Sequence, residues 1–545
     1  MYLDITKTGK YRRALLRVSY RVNGKVQKDT LANVSNCNTE DLEAIKFGIQ
    51  YYKKYKAGTL TDLNYEDIKH GKSAGAVFVL SELANRIGLT RALGSDHNAK
   101  LALWQIISRI LDQGSRLSAV RLHERHLLTE AIGIKSSFCE DDLYKNLRWI
   151  EGAQDKIENE LFKTRYKDTP CELLLYDVTS SYLEGQHNEL AQYGYNRDRK
   201  KGKKQIVIGL LCDVDGFPIS VQVFSGNISD TTTFYDQIEK TVNRFGLNQV
   251  TFVGDRGMIK STQKEELTKA NFNFITALTK AQITTLEKEE TIQVRLFDED
   301  ICKVEKDNIR YILRKNPVRA DEIEASRLSK EEHIESYTER LNEYLDTHKK
   351  ASIDIALRKV KERIGKLKCS WLSVDKEDRK IKITRDAEKL NEISRLDGCY
   401  VITTDVPKER LSEEAVHKIY KNLAKVERAF RESKTGHLEL RPIYVRKEAS
   451  TRGHVFVVMC AYLLRKELEK AWSQIDCTVE EGLASLSTIS SVIIKGTNNV
   501  SVESIPQPTG RNADLLDALN YKLPTMVIRN KVKVDTRKKL VDSRK

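Results

Sequence analysis

Glu172-Leu173-Leu174-Leu175-Tyr176-Asp177-Val178-Thr179 decides the fold of this chain: an apolar run of strand length with an acid set inside it. Aspartate is depleted from central strands unless its charge is used, because burying it unpaired is costly. Downstream, Gln205-Ile206-Val207-Ile208-Gly209-Leu210-Leu211, the turn Asp215-Gly216 and Ile219-Ser220-Val221-Gln222-Val223-Phe224 read as a hairpin. The first three strands are therefore expected to be antiparallel neighbours. Thr232 to Phe245 then forms a crossover helix leading to Val250-Thr251-Phe252-Val253-Gly254-Asp255. A second acid thus stands at the carboxyl end of a strand entered through a helix, which is where open α/β sheets keep their sites. A further helix and the strand Phe274-Ile275-Thr276-Ala277-Leu278 follow, so the fold class is α/β.

A third acid comes from the stretch Ile419 to Lys434, read as one helix with two stripes. At about 100° per residue, Ile419, Leu423, Val426 and Phe430 share an apolar arc. Tyr420, Glu427, Arg431 and Lys434 share an adjacent arc, displaced by roughly a quarter turn. Such a helix, anchored along one stripe, holds a carboxylate, a phenol and two cations along its border. Asp177, Asp255 and Glu427, two from strands and one from a helix, converging on a sheet edge, form a set suited to two Mg²⁺ or Mn²⁺ ions about 4 Å apart. Two such ions activate an attacking water or 3′-hydroxyl and stabilise the leaving oxygen in displacement at phosphorus. Hard oxygen donors, with no His/Cys cluster beside them, favour Mg²⁺ over Zn²⁺.

Composition points the same way. A chain of 545 residues exceeds what one core usually supports. With 93 Lys+Arg against 78 Asp+Glu, the net charge is +15 and the pI about 9.1, which favours a polyanionic partner. The nine cysteines (37, 139, 171, 212, 302, 369, 399, 460 and 477) are scattered and form no CxxC pair, as in a reduced, cytosolic protein without structural zinc. No apolar run reaches about 18 residues, so no membrane partner is expected. The absence of a GxxxxGK[ST] loop argues against a nucleotide cofactor.

The character of the chain changes along its length. Residues 11 to 35 alternate in strand fashion around Asn23-Gly24, a hairpin signal. From about 40 to 165 the pattern is helical: Leu101, Trp104, Ile107 and Leu111 recur at helical spacing, with Trp104 read as core. Residues 320 to 367 are strongly charged with an intermittent apolar stripe, read as long surface helices, a helical hairpin or a dimer contact. The short strands Trp371-Leu372-Ser373-Val374, Lys380-Ile381-Lys382-Ile383 and Tyr400-Val401-Ile402-Thr403 follow. This block interrupts the α/β unit ahead of the Glu427 helix.

The motifs Tyr176-Asp177-Val178-Thr179-Ser180, Gly226-Asn227-Ile228-Ser229-Asp230 and Gly254-Asp255-Arg256-Gly257-Met258 occur in order. They are followed by the Tyr420/Glu427/Lys434 helix, Leu440-Arg441-Pro442-Ile443-Tyr444 and Arg452-Gly453-His454. This ordered set resembles the DDE transposases of bacterial insertion sequences, specifically the IS4 superfamily and within it the IS1634 family. The resemblance implies an RNase H-like catalytic core interrupted by an insertion domain, with a mostly helical N-terminal region. It divides the chain into a β element (1–40), a helical region that binds terminal DNA (41–168), the first part of the core (169–280), the insertion domain (281–405), the second part of the core (406–475) and a C-terminal region with a basic tail (476–545).

Carried over by position, the resemblance makes Asp177, Asp255 and Glu427 the catalytic triad and metal ligands, with Arg256 and His454 in support. The superfamily's Tyr-(2)-Arg-(3)-Glu-(6)-Lys signature matches at Tyr420, Glu427 and Lys434, whereas its arginine position is Leu423. Tyr420 and Lys434 become DNA contacts, and Arg431 the substitute for the missing arginine. The run Arg197-Asp198-Arg199-Lys200-Lys201-Gly202-Lys203-Lys204 borders the first acid and suits a phosphate backbone. Members of the superfamily can use an insertion-domain aromatic to hold a flipped base, which makes Trp371 a candidate. Arg109, Arg116, Arg121, Arg125 and His126 are available in the helical region, and the tail from Arg529 has eight basic residues against two acidic ones.

The expected function is a transposase that binds the terminal inverted repeats of its element as double-stranded DNA. It would cleave the ends by two-metal hydrolysis and join the 3′-hydroxyls to target DNA, working as a homodimer in the cytoplasm and at the nucleoid when bound. Two other classes share these residues: an RNase H-fold nuclease that cuts without joining, and a domesticated DNA-binding protein.

Overall fold

The computed structural model describes the chain apart from residues 9–10, 23, 57–67, 186, 199, 299–300, 442, 496–500, 530–531 and 537–545. Asn23 of the turn motif, Arg199 of the basic run, Pro442 and most of the basic tail therefore lie outside the described residues. The chain divides into two compact units. One comprises residues 1–79, 124–131 and 481–531, the other 80–123, 132–480 and 532–545.

The first unit holds an antiparallel sheet of Tyr2–Thr8, Tyr11–Val22 and Lys25–Asn33, with Val22 opposite Lys25 across the turn. Ala14 and Leu15 on its central strand are its buried residues. The helix Thr39–Lys56 follows. A second antiparallel sheet orders Met526–Val527, Ser501–Ser504, Ser490–Lys495 and Ile68–Ser73.

The second unit is mixed α/β and carries the acids. Its eight-stranded sheet is built, in chain order, from β1 (Leu173–Tyr182), β2 (Gln205–Cys212), β3 (Pro218–Ser225), β4 (Thr251–Gly254), β5 (Asn273–Ala277), β6 (Cys302–Lys306), β7 (Ile309–Lys315) and β8 (Cys399–Thr404). Their order across the sheet is β6-β7-β8-β5-β4-β1-β2-β3. The strands β1, β4 and β5 run parallel, while β2 and β3 pair antiparallel as a meander. All eight residues of β2 are buried, as expected of a strand covered on both faces.

The helices α1 (Glu140–Arg165), α2 (Asp230–Phe245), α5 (Glu413–Lys421), α6 (Leu423–Lys434) and α7 (Glu448–Ala471) pack on this sheet, and α3 (Pro317–Thr347) and α4 (Ile353–Leu367) stand apart from it. On one face Tyr176, Phe234, Phe252, Phe272 and Phe274 make a continuous aromatic core. Tyr176 passes over Gly209 so closely that a Cβ there would lie 2.2 Å from the phenol oxygen. Residues 302–306, 309–315 and 399–404 belong to the large sheet, while α3, α4 and the hairpin Leu372–Glu377/Lys380–Arg385 enclose a separate core of Ile334, Leu345, Val360, Trp371 and Ile381. Trp104 is fully buried, its ring nitrogen donating to Ala119 O at 3.1 Å.

Helix α1 is tied to the edge of the sheet by Glu158, whose side chain is wholly inaccessible. It pairs with Lys240 (3.0 Å) and Arg244 (2.8 Å) and accepts from Ser220 Oγ (2.8 Å) and Val221 N (3.1 Å). Burial alone would raise its pKa, but the two cations hold it below the ordinary range. No described helix is long and apolar enough to cross a membrane, and the cysteines form no disulfide among the described residues.

Gly209→Ala is expected to destabilise the protein by about 1–3 kcal/mol through overpacking against Tyr176. Gly152→Ala, at an exposed position of α1 where an added Cβ meets nothing within 4 Å, is expected to stabilise it by about 0.5–1 kcal/mol. Urea midpoints of the two variants against the parent measure both.

Candidate active site

Strand register brings the first two acids together. In the parallel β1–β4 pair Tyr176 lies opposite Gly254, so Asp177 and Asp255 are the next residues on adjacent strands. Asp255 opens a tight turn in which its carbonyl accepts from Met258 N (2.9 Å), and its own carboxylate accepts from Arg256 N (2.7 Å). The third acid is supplied by α6, which packs on β1 through the buried Val426, Ala429 and Phe430 and leaves Glu427 exposed. All three acids line one cavity of about 320 Å³, together with Asn316, Tyr400, Tyr420, Lys421, Leu423 and Ala424.

The electrostatics of this cavity bear on cation binding. Burial, with the nearby charges of Asp255 and Glu427, pushes Asp177 from its ordinary 3.8 up to about 7, against the lowering effect of the Val178 N–H. The Tyr420 phenol is likewise raised, by burial and then by Asp255, so it remains a neutral donor. A set of carboxylates that repel one another and offer only oxygen fits a hard divalent cation in donor chemistry and charge. Among the described residues, however, no three His, Cys, Asp or Glu side chains stand close enough to hold an ion by themselves.

The Ile419–Lys434 stretch is two helices rather than the one expected. At Asn422 the chain tightens to i→i−3 bonding: Asn422 N donates to Ile419 O (3.0 Å) and Lys425 N to Asn422 O (2.8 Å). Leu423, expected on the apolar arc, opens the second helix, is only half-buried and lines the acidic cavity one turn before Glu427. Arg431 is exposed one turn beyond Glu427, and Arg256 is exposed beside Asp255.

Lys434 does not face solvent. It is buried, and its ammonium donates to Thr179 Oγ1 (2.5 Å) on β1 and pairs with Asp198 (3.0 Å), an acid that Arg441 also engages. The basic run is thereby fixed beside the site: Arg197 N donates to Ser180 Oγ (2.8 Å), and Asp198 accepts from Tyr182 N (3.2 Å). Lys203 pairs with Glu184 (2.7 Å), Lys200 and Lys204 lie near the rings of Tyr182 and Tyr193, and Lys201 is exposed.

Trp371 sits in the separate core, 4% exposed, with its ring nitrogen donating to Glu331. His454 is buried on α7, its Nδ1 2.9 Å from Arg116, and burial followed by the charges of Arg116 and Arg109 keeps it neutral. Arg109 and Arg116 are themselves buried and form part of this packing. Sequence reasoning missed Asp198, Thr179, Asn316 and Tyr400. Asp198 carried a signal, as a lone acid inside a cationic run, and Thr179 stood in the motif around Asp177.

The family described as transposase DDE domain matches residues 170–464. Comparison with curated proteins finds no match. Among solved structures, the chain is similar to a cryo-EM structure of a piggyBac transposase synaptic complex with hairpin DNA. The two are 8% identical, with a TM-score of 0.37 over 71% of this chain and 69% of that one.

The raised Asp177 yields a prediction about stability. A carboxyl whose folded pKa lies above its unfolded value costs nothing below the unfolded value, and the cost grows to its full size as pH passes the folded one. Asp177→Asn removes that cost, so it is expected to stabilise the metal-free protein at pH 8, by on the order of 3 kcal/mol, and to have little effect at pH 4. Thermal melts in EDTA at the two pH values measure it, and equal shifts at both would count against the arrangement.

Proposed function

The chain belongs to the transposase DDE domain family and is a DDE transposase, and from that premise we propose that it moves an insertion sequence of the IS4 superfamily, IS1634 family. It binds the element's terminal inverted repeats, cleaves at the ends to free 3′-hydroxyls, and joins these to target DNA. One observation carries the reading: Asp177, Asp255 and Glu427 line a single cavity, the two aspartates brought side by side by the parallel β1–β4 pair. The sheet supports an RNase H-like core, since β1–β3 form an antiparallel meander and β4 and β5 lie parallel on the other side of β1. In this reading residues 281–405 are the insertion, residues 41–168 contribute to terminal-DNA binding, and the active form is a homodimer holding two ends. The protein works in the cytoplasm, at the nucleoid when on DNA.

Asp177, Asp255 and Glu427 are the residues that would hold two Mg²⁺ or Mn²⁺ ions. Bound there, the ions would lower the pKa of the attacking hydroxyl and neutralise charge on the leaving oxygen. The protein's own groups do the rest. The neutral Tyr420 phenol donates to a phosphate oxygen at the cavity wall, and the exposed Arg256 and Arg431 hold the DNA backbone on either side. Leu423, where the family signature has an arginine, presents an apolar surface to the same cavity, which leaves the backbone contact to Arg431. Lys434 acts from behind, fixing β1 to α6 and so Asp177 to Glu427.

Glu427→Gln is expected to lower cleavage of end DNA by at least about 10²–10³-fold, the scale of losing one transition-state charge stabiliser, with DNA affinity unchanged. Incubating the parent with DNA flanking its gene, target DNA and Mg²⁺ should give a joined product. Cutting without joining would favour a nuclease, and binding without cutting a domesticated DNA-binding protein. Arg431→Ala is expected to weaken end binding and to flatten the slope of log K against log salt by about 0.9, one phosphate contact; an unchanged slope removes Arg431 from the interface.

A further inference from the structure

The segment that joins β1 to β2, residues 183–204, leaves the strand carrying Asp177 about 17 Å beyond that acid, at five residues of about 3.3 Å each. Its backbone is held at many points. Asn188 donates to Val445 O (2.6 Å) and Thr451 Oγ1 (2.8 Å), and Gln192 exchanges backbone bonds with Gln205. Gln205 Nε2 donates to Tyr195 O (3.1 Å), and Asp198 is clamped by Lys434 and Arg441. On this fixed frame Tyr193 and Tyr195 stand 65% and 81% exposed, against the tendency of large aromatics to be buried.

Each ring has a cation beside it. Lys204 Nζ lies 5.8 Å from the Tyr193 centroid, Arg197 Cζ 5.6 Å from Tyr195, and Lys200 Nζ 5.7 Å from the half-buried Tyr182. Tyr193, His187, Lys203 and Lys204 also line a cavity of about 510 Å³, in which the charge of Glu184 is matched by Lys203. Rings with open faces, repeated beside cations on a rigid backbone, are what a single nucleic-acid strand requires: the ring takes a base and the cation takes the phosphate next to it. Bases within a duplex are already stacked and cannot use such faces.

We infer that this arm is a binding site for unpaired nucleotides. Tyr193 and Tyr195 stack successive bases of one DNA strand, while Lys204 and Arg197, the cations beside the two rings, hold its phosphates. The inference deepens the proposed function, since the strand bound here is the one opened beside the catalytic cavity. Because the rings are pre-positioned, little ordering entropy is lost on binding.

The test compares the full-length parent with Tyr193→Ala/Tyr195→Ala and Tyr193→Phe/Tyr195→Phe, using fluorescence anisotropy on dT20 and on a blunt 40-bp duplex from the DNA flanking the gene. The alanine pair should lose about tenfold or more of its dT20 affinity, the scale of one or two base stacks, keep its duplex affinity, and melt at the parent's temperature. The phenylalanine pair should bind dT20 like the parent. Unchanged dT20 binding by the alanine pair overturns the inference, as does an equal loss on both DNAs or a phenylalanine pair as weak as the alanine pair. A parent that shows the stacking signature but never cuts flanking DNA would fault the proposed function and leave this site standing.

Discussion

The parallel pairing of β1 with β4 is the constraint on which the site depends. Because Tyr176 falls opposite Gly254, the two following aspartates emerge side by side. A slip of one residue would turn one of them to the other face of the sheet. The register is protected from both sides. The Tyr176 ring fills the space over Gly209 on one neighbouring strand, and Phe252 on the other belongs to the same aromatic core. Everything that α6 contributes, Glu427 included, is measured from this pair, since α6 is seated on β1 and tied to Thr179 through Lys434.

The price of the arrangement is visible in Asp177. A carboxyl displaced to about 7 by burial and by two like charges is costly to ionise where it stands, and the surrounding structure has to hold it there. Buried ion pairs elsewhere do the holding. Glu158 joins α1 and α2 to the sheet edge, and Asp198 gathers Lys434 and Arg441 behind the catalytic face. Such pairs gain little net free energy, yet breaking one leaves a charge stranded, so they fix geometry more than they add stability.

The strands and the first two acids were legible because their signal is local. An apolar run bounded by turns reads as a buried strand, and an aspartate inside one stands out. The carboxylate on α6 was legible from helical periodicity, but its neighbours were not. Periodicity assumes one uninterrupted helix, whereas the chain tightens at Asn422 and sets Ile419 and Tyr420 on a different helix from Glu427, with Leu423 at the cavity wall between them. An arc also says nothing about partners far along the chain: the acid that claims Lys434 lies 236 residues away. Trp371 shows the same limit, because the core that encloses it is formed by helices and a hairpin whose mutual packing no short window displays. The short, charged strands β6 and β7 gave no sign that they extend the large sheet, since their neighbours are set by non-local pairing.

The way β7 and β8 meet has a consequence for how this molecule can change. They are antiparallel partners, with Lys315 opposite Cys399, so the chain departs from the sheet and returns to it on the same rung. Between those two residues lies a body with its own interior. In topological terms α3, α4 and the small hairpin occupy the turn of an enlarged β-hairpin. Such a turn can lengthen, shrink or be exchanged over evolutionary time without any strand of the sheet changing partners. Asn316, which caps α3 and borders the acidic cavity, marks where that separate body begins to touch the acidic site.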